Sequence, residues 1–190
     1  NKQPLSLHLP NKNMITQEYL TNISFLILCC VSFVACSPKL QTVLVEDENG
    51  NTELIYAGNP SIENLVKEIK YFAHGDTLSI TPMLKGAVDG EVKKFNSDNH
   101  PSEIITFKKG VQNGTYKRFD KEGFLIFEGE LENGLKTGVW TTWYDDVQVQ
   151  EQRSYSNDVA NGKWTYYYRD GSVKREEVYK NGKLIEEKNF

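Results

Sequence analysis

Few residues in this chain have side chains suited to catalysis, and their spacing does not combine them. Cys29, Cys30 and Cys36 all fall in or beside one apolar stretch, and no cysteine occurs after residue 36. The remainder therefore lacks a thiolate for a zinc site, a disulfide framework or a nucleophile. Past that point the only imidazoles are His74 and His100, at non-equivalent turn positions. No Gly-x-Ser-x-Gly, His-Glu-x-x-His, Walker or dinucleotide pattern occurs. Asp145 and Asp146 are adjacent carboxylates, but two such groups supply too few oxygen ligands for calcium, and they read as a solvated turn. Catalysis needs a nucleophile, an acid–base pair or a metal cluster held in a pocket. The expectation is a chain with no catalytic residues, no metal and no cofactor: not an enzyme.

The overall charge narrows the partners. Across 190 residues, 22 Lys+Arg against 26 Asp+Glu give a net charge of -4, so no basic surface is available to follow a phosphate backbone and no nucleic acid is expected. From Ile23 to Ala35 the chain reads ISFLILCCVSFVA, 13 residues without a charge, followed by Cys36 and a polar segment. A spanning helix needs about 20 apolar residues, whereas roughly 7–15 suit the core of a secretory signal. Phe33-Val34-Ala35-Cys36 resembles a bacterial lipobox, in which the cysteine is lipidated and becomes the new N-terminus. Phe at its first position and the absence of Lys or Arg between Met14 and the apolar run depart from that pattern. An ordinary cleaved signal or a short membrane anchor are the other readings. The expectation is a signal and upstream segment over 1–35, a lipid anchor on Cys36, and a location at the cell envelope on the periplasmic or extracellular face. A lipidated cysteine carries several acyl chains, which hold a protein at a membrane where one alone is marginal.

A fixed period of 24 residues organises the chain from residue 66 onward. Gly90, Gly114, Gly138 and Gly162 lie 24 apart, as do Gly86, Gly110, Gly134 and, two periods on, Gly182. Gly75, Gly123 and Gly171 keep the same phase, so 11 of the 14 glycines lie on one lattice. Aromatic and apolar positions share the period: Tyr71, Phe95, Phe119, Trp143 and Tyr167; Val92, Tyr116, Trp140 and Trp164; Met83, Phe107, Leu131, Tyr155 and Tyr179. Five units result, at 66–89, 90–113, 114–137, 138–161 and 162–185, with a polar tail at 186–190. Each alternates bulky and polar residues in two short runs divided by Asn-Gly or Asp-Gly type turns, the pattern of a β-hairpin. Units this small cannot bury an apolar face alone and must stack on their neighbours. The fold class expected is all-β: an elongated antiparallel β-hairpin repeat array, about 48 Å across five units. Residues 36–65 read as linker and N-terminal cap, with a hairpin over 42–58 turning at Asn49-Gly50. From Ser61 to Lys70 a short helix capped by Ser61 competes with a first strand over Val66–Tyr71, which register favours.

NGKWTYYYRDGSVKREEVYKNGK (161–183) and NGLKTGVWTTWY (133–144) resemble the variant MORN repeats of bacterial proteins, many of them labelled as antitoxin components. The resemblance covers 66–185 and is closest in the last three units. It implies a hairpin array that binds proteins or lipids, while fold by itself fixes no activity. Departures are Val66 and Glu186 at the lattice glycine, Asp158 at the second glycine and Val147 at the hairpin glycine. They imply that the array ends near Glu186 and that the turn at Asp145-Asp146 is irregular.

Three functions compete on this sequence. The leading one is a non-enzymatic, membrane-anchored scaffold at the cell envelope that binds a protein partner. The second, carried by the family label alone, is an antitoxin, although an exported chain would not meet a cytoplasmic toxin. The third is a module for a glycan or a phospholipid headgroup. Trp140, Tyr144, Trp164 and Tyr168 are the binding candidates, because even separations along straight strands put them on one face, with Trp143 and Tyr167 on the other. The competing role for those rings is cross-strand stacking that only stabilises the sheet. Trp164 is expected to be packed and Trp140 partly exposed beside the irregular turn.

Overall fold

The structure, a computed structural model, describes residues 38–47, 50–145 and 147–190. The expectations for the signal and for Cys36, and the turn residues Asn49 and Asp146, lie outside the described residues. The rest is a single open sheet of 14 antiparallel strands. In chain order these are β1 (Leu40–Asp47), β2 (Gly50–Ala57), β3 (Leu65–Tyr71), β4 (Thr77–Leu84), β5 (Ala87–Val88), β6 (Gly90–Phe95), β7 (Pro101–Lys108), β8 (Val111–Phe119), β9 (Leu125–Glu132), β10 (Leu135–Trp143), β11 (Val149–Ser156), β12 (Val159–Tyr167), β13 (Val173–Lys180) and β14 (Lys183–Asn189). Strands neighbour each other in sequence order, with β5 a short addition on β4. The all-β hairpin array is thus the observed fold.

Turn chemistry explains the connections. Between successive units, residue pairs such as Asn133-Gly134 (φ 52° and 83°) and Asn181-Gly182 (φ 51° and 79°) take the double positive φ of a tight hairpin. Asp158 adopts φ 65° in place of the glycine, which a short polar side chain tolerates. Its Oδ1 also accepts the Lys136 N–H at 2.7 Å, tying its turn to the preceding unit. Asp89 Oδ2 accepts the Lys109 N–H of the following unit at 2.9 Å. At the opposite hairpins Gly75, Asn99, Gly123 and Gly171 are all at positive φ. The fourth hairpin, where Val147 replaces the glycine, is closed by a Tyr144 N–H to Gln148 O bond of 2.9 Å like those of its counterparts, and Asp145 Oδ1 also accepts the N–H of Gln148 at 3.0 Å. The irregularity expected at Asp145-Asp146 turns on a residue outside the described ones.

The lattice glycine has a different task. It sits inside a strand, where Thr106 faces the stretch around Gly114, and Ser154 the stretch around Gly162, through a register shift of two extra residues. Gly162 has φ 105°, and a Cβ there would lie 3.0 Å from Ser154 Cβ. Gly138 has φ 65°. Bulges of this kind bend and twist the strand that carries them. Where the lattice residue is Val66 or Glu186, the register slips by only one residue. Side-chain bulk at that position thus sets the size of the bulge.

Both ends of the array differ from expectation. The N-terminal hairpin does not cover an edge; β2 pairs with β3, so β1 and β2 extend the sheet in its own plane and leave β1 as the edge. Backbone pairing continues beyond Glu186 because β14 runs to Asn189 and pairs along β13. Near Ser61 both readings hold in part. Ser61 Oγ accepts from the Asn64 N–H at 3.3 Å over a 3-10 turn (Ile62–Asn64), and the strand begins at Leu65.

Gly162→Val should lower stability by about 1–3 kcal/mol, the cost of forcing a β-branched residue into a sparsely populated backbone region. Urea unfolding of the variant against the parent measures it.

Candidate functional site

The binding candidates lie in the second half of the array, so their surroundings begin with one row of register partners. Across the sheet this row runs Val92, Ile105, Tyr116 and Gly129, and then Trp140, Arg153, Trp164 and Glu177. Ile105, Gly129, Arg153 and Glu177 are 24 residues apart, so the same position changes character from one unit to the next. That change decides the fate of each neighbouring ring.

Trp140 is the most buried residue of the apolar cluster, 3% exposed. The indole lies over Gly129, where a Cβ would come within 2.6 Å of three ring atoms. With no side chain at 129, Tyr116 and Trp140 lean together from opposite sides, their ring centroids 5.7 Å apart. Phe127 packs at 5.0 Å from Trp140, and Ile105 and Leu131 complete the cluster. Burial has a polar cost, because Trp140 Nε1 has no hydrogen-bond partner among the described residues. Glu103 accepts the Tyr116 hydroxyl at 2.7 Å and the Lys94 ammonium at 2.6 Å. Burial, together with the bond to Glu103 and its negative charge, pushes the Tyr116 phenol up to about 12. Burial alone would raise the Glu103 carboxyl, but the bonds from Lys94 and Tyr116 and the charges of Lys94 and Arg118 bring it below its ordinary value.

Trp164 meets Arg153 instead of glycine. The guanidinium sits 4.8 Å from the ring centroid, and the indole Nε1 donates to Ser154 O at 2.9 Å. Tyr155 and Tyr179 flank the ring at 5.4 and 4.4 Å. The result is a half-buried tryptophan with a satisfied N–H. The expected order of exposure is therefore reversed: Trp140 is closed off and Trp164 is the more open. Its cause is the residue opposite each ring, not the irregular turn.

Tyr144 and Tyr168 lie just beyond the ends of β10 and β12, and the register shifts beside them place the extra residue on the partner strands, Gln150 in β11 and Lys174 in β13. Tyr144 donates its hydroxyl to Tyr167 O at 2.9 Å and carries the Arg169 guanidinium 4.8 Å from its ring. Tyr168 is 45% exposed. The opposite-face assignment of Tyr167 holds, since its hydroxyl donates to Gln152 Oε1 at 3.0 Å, and Gln152 pairs with Thr141 and Thr165, the residues that alternate with the tryptophans.

Sequence reasoning missed the polar half of this surface. Glu177 is buried and accepts hydrogen bonds from the Tyr166 hydroxyl at 3.0 Å and the Tyr179 hydroxyl at 3.1 Å, with Arg175 Nε at 3.2 Å. Beside it a hollow of about 240 Å³ is bounded by Tyr144, Glu151, Tyr166, Lys174 and Arg175. The available signal was Gly129, the one glycine within 66–185 that is off the lattice, and the charges at 153 and 177 in the same phase. Among the described residues no group of three His, Cys, Asp or Glu side chains is placed to hold a metal ion. Nor is any described helix long and apolar enough to cross a membrane.

Residues 160–181 match the MORN repeat variant family. The match spans all of β13 and all but the first residue of β12, including Trp164, Tyr166, Arg175, Glu177 and Tyr179. No curated protein matches the chain. A repeat of this type suggests a scaffold for protein or membrane interaction and is generally non-catalytic.

Gly129→Ala should cost about 1–3 kcal/mol by overpacking the indole, and Trp140→Ala about 3–5 kcal/mol as a core truncation. Thermal unfolding of both variants measures this. The Tyr116 phenol has a higher pKa folded than unfolded, so its contribution to stability is intact below about pH 10 and falls away towards about pH 12. Tyr116→Phe should flatten the alkaline decline in unfolding midpoint.

Proposed function

We propose that this protein is a non-enzymatic scaffold anchored at the cell envelope through a lipid on Cys36, and that its repeat array binds a protein partner. One observation carries the reading. Among the described residues the array is a single sheet with no second layer over either face, so it offers far more surface than its small cluster of buried residues requires. The apolar run before Cys36 supplies the export signal, and an antitoxin acting on a cytoplasmic toxin would be separated from its target. Within the array, Trp164, Tyr144 and Tyr168 are the accessible aromatic anchors, and Trp140 is structural. Exposed aromatic residues are common centres of binding energy.

A second reading, a glycan or phospholipid headgroup, moves from the Trp140/Trp164 face to the hollow beside Tyr144. There the aromatic walls of Tyr144 and Tyr166 meet the charged groups of Glu151, Lys174 and Arg175. Small-molecule sites combine such walls with a few placed polar groups.

Intact mass of the native protein tests the anchor. The expected mature chain begins at a lipid-modified Cys36, and a species that keeps residues 1–35 or lacks lipid overturns it. Affinity capture from solubilised membranes tests the partner. Tyr168→Ala should reduce recovery of the bound protein without moving the unfolding midpoint. Unchanged recovery removes Tyr168 from the interface.

A further inference from the structure

We propose that β1 is a self-association strand, and that two copies of this chain join by antiparallel pairing of their β1 edges centred on Leu44. This goes beyond the scaffold reading and does not depend on the anchor. The two ends of the sheet are built differently. β14 exposes Leu184 and Ile185 but also Lys183, Glu186, Glu187 and Lys188, charges of the kind that discourage edge-to-edge pairing. β1 carries its only charges at its C-terminal end, Glu46 and Asp47, and exposes Leu40 at 61%, Leu44 at 66% and Val45 at 42%. Among the described residues nothing pairs with its outer side. An apolar, unpaired edge strand is a template for another strand.

Hydrogen-bond parity limits how that template can be used. Gly58 N donates to Lys39 O at 3.0 Å, in the same register that pairs Leu40 with Ala57. Odd-numbered residues of β1 therefore turn their N–H and C=O toward β2, and Leu40, Thr42, Leu44 and Glu46 turn theirs outward. In an antiparallel pair, directly opposed residues are either both hydrogen-bonded or both not. A two-fold pair of β1 strands must then be centred on a residue and not between two. Centred on Leu44, it sets Leu44 against Leu44, Val43 against Val45 and Thr42 against Glu46. Every residue from Val43 to Val45 meets an apolar side chain, and Glu46 meets no like charge. Centring on Val43 would set Val45 against Gln41 and Leu44 against Thr42. The segment is thus complementary to itself, which argues for a second copy over an unrelated strand. One strand pair is small beside the roughly 1,200–2,000 Å² of stable interfaces, so the dimer should be weak and concentration-dependent.

Sedimentation of the purified native protein, in detergent where it carries an anchor, should show a reversible monomer–dimer equilibrium. Thr42→Pro removes one outward N–H and none directed at β2, a substitution edge strands accept. It should abolish the dimer and leave the circular dichroism unchanged. Leu44→Lys opposes two ammonium groups at the centre and should weaken association at least tenfold, which covers the case in which the proline variant does not fold. In the Leu44 register the two Leu44 Cα atoms lie about 5.5 Å apart, inside the disulfide range of about 4.4–6.8 Å. Mild oxidation of L44C should therefore give covalent dimers beyond those of the parent chain, while V43C, offset from its own copy, should not. A monomer at every concentration, a dimer unaffected by T42P and L44K, or cross-linking of V43C in preference to L44C overturns the proposal.

Discussion

A sheet with no opposing layer has nowhere to bury a side chain except against its neighbours on the same face, and every notable contact here answers that constraint. Rings must lean across strands about 4.8 Å apart to touch. Tyr116 and Trp140 are separated by the whole of β9, yet their centroids are 5.7 Å apart because Gly129 leaves the space between them empty. The absence of a side chain at one position thus lets the apolar cluster around Trp140 close. The lattice glycines contribute by accepting positive φ and close approach, which bends each strand toward its neighbours.

Where glycine gives way to Arg153 and Glu177, the same geometry holds a polar arrangement. Arg153 covers the Trp164 ring, and Glu177 is enclosed by Tyr166, Tyr179 and Arg175. Removing one member would leave a buried charge without its partner, which is costlier than losing a surface pair. The array therefore has an apolar centre around Trp140 and a polar, partly open region near β12 and β13, the segment that matches the MORN repeat variant. Repetition of backbone does not mean repetition of chemistry.

The edges obey the same logic. An open sheet always has two, and stacking more hairpins moves them without removing them. In this chain the N-terminal hairpin carries the edge outward to β1, and pairing at the other end continues through β14. One edge strand carries four charges in seven residues and the other is charged only at its C-terminal end, so the two ends of the scaffold are chemically distinct.

The sequence by itself determined the period, the strand class and the turns. These depend on residues adjacent in the chain: Asn133-Gly134 must turn, and bulky residues in alternation favour strands. The interior of β3 and the capping role of Ser61 were legible for the same reason. Which tryptophan is buried was decided only by tertiary structure. Burial of Trp140 depends on Gly129 and Tyr116, which belong to other strands, and exposure of Trp164 on Arg153. Turn type is a property of a few consecutive backbone dihedrals, whereas burial is a sum over neighbours brought in by register. Register, in turn, is set by bulges whose size depends on the bulk of a single residue packed against the opposite strand.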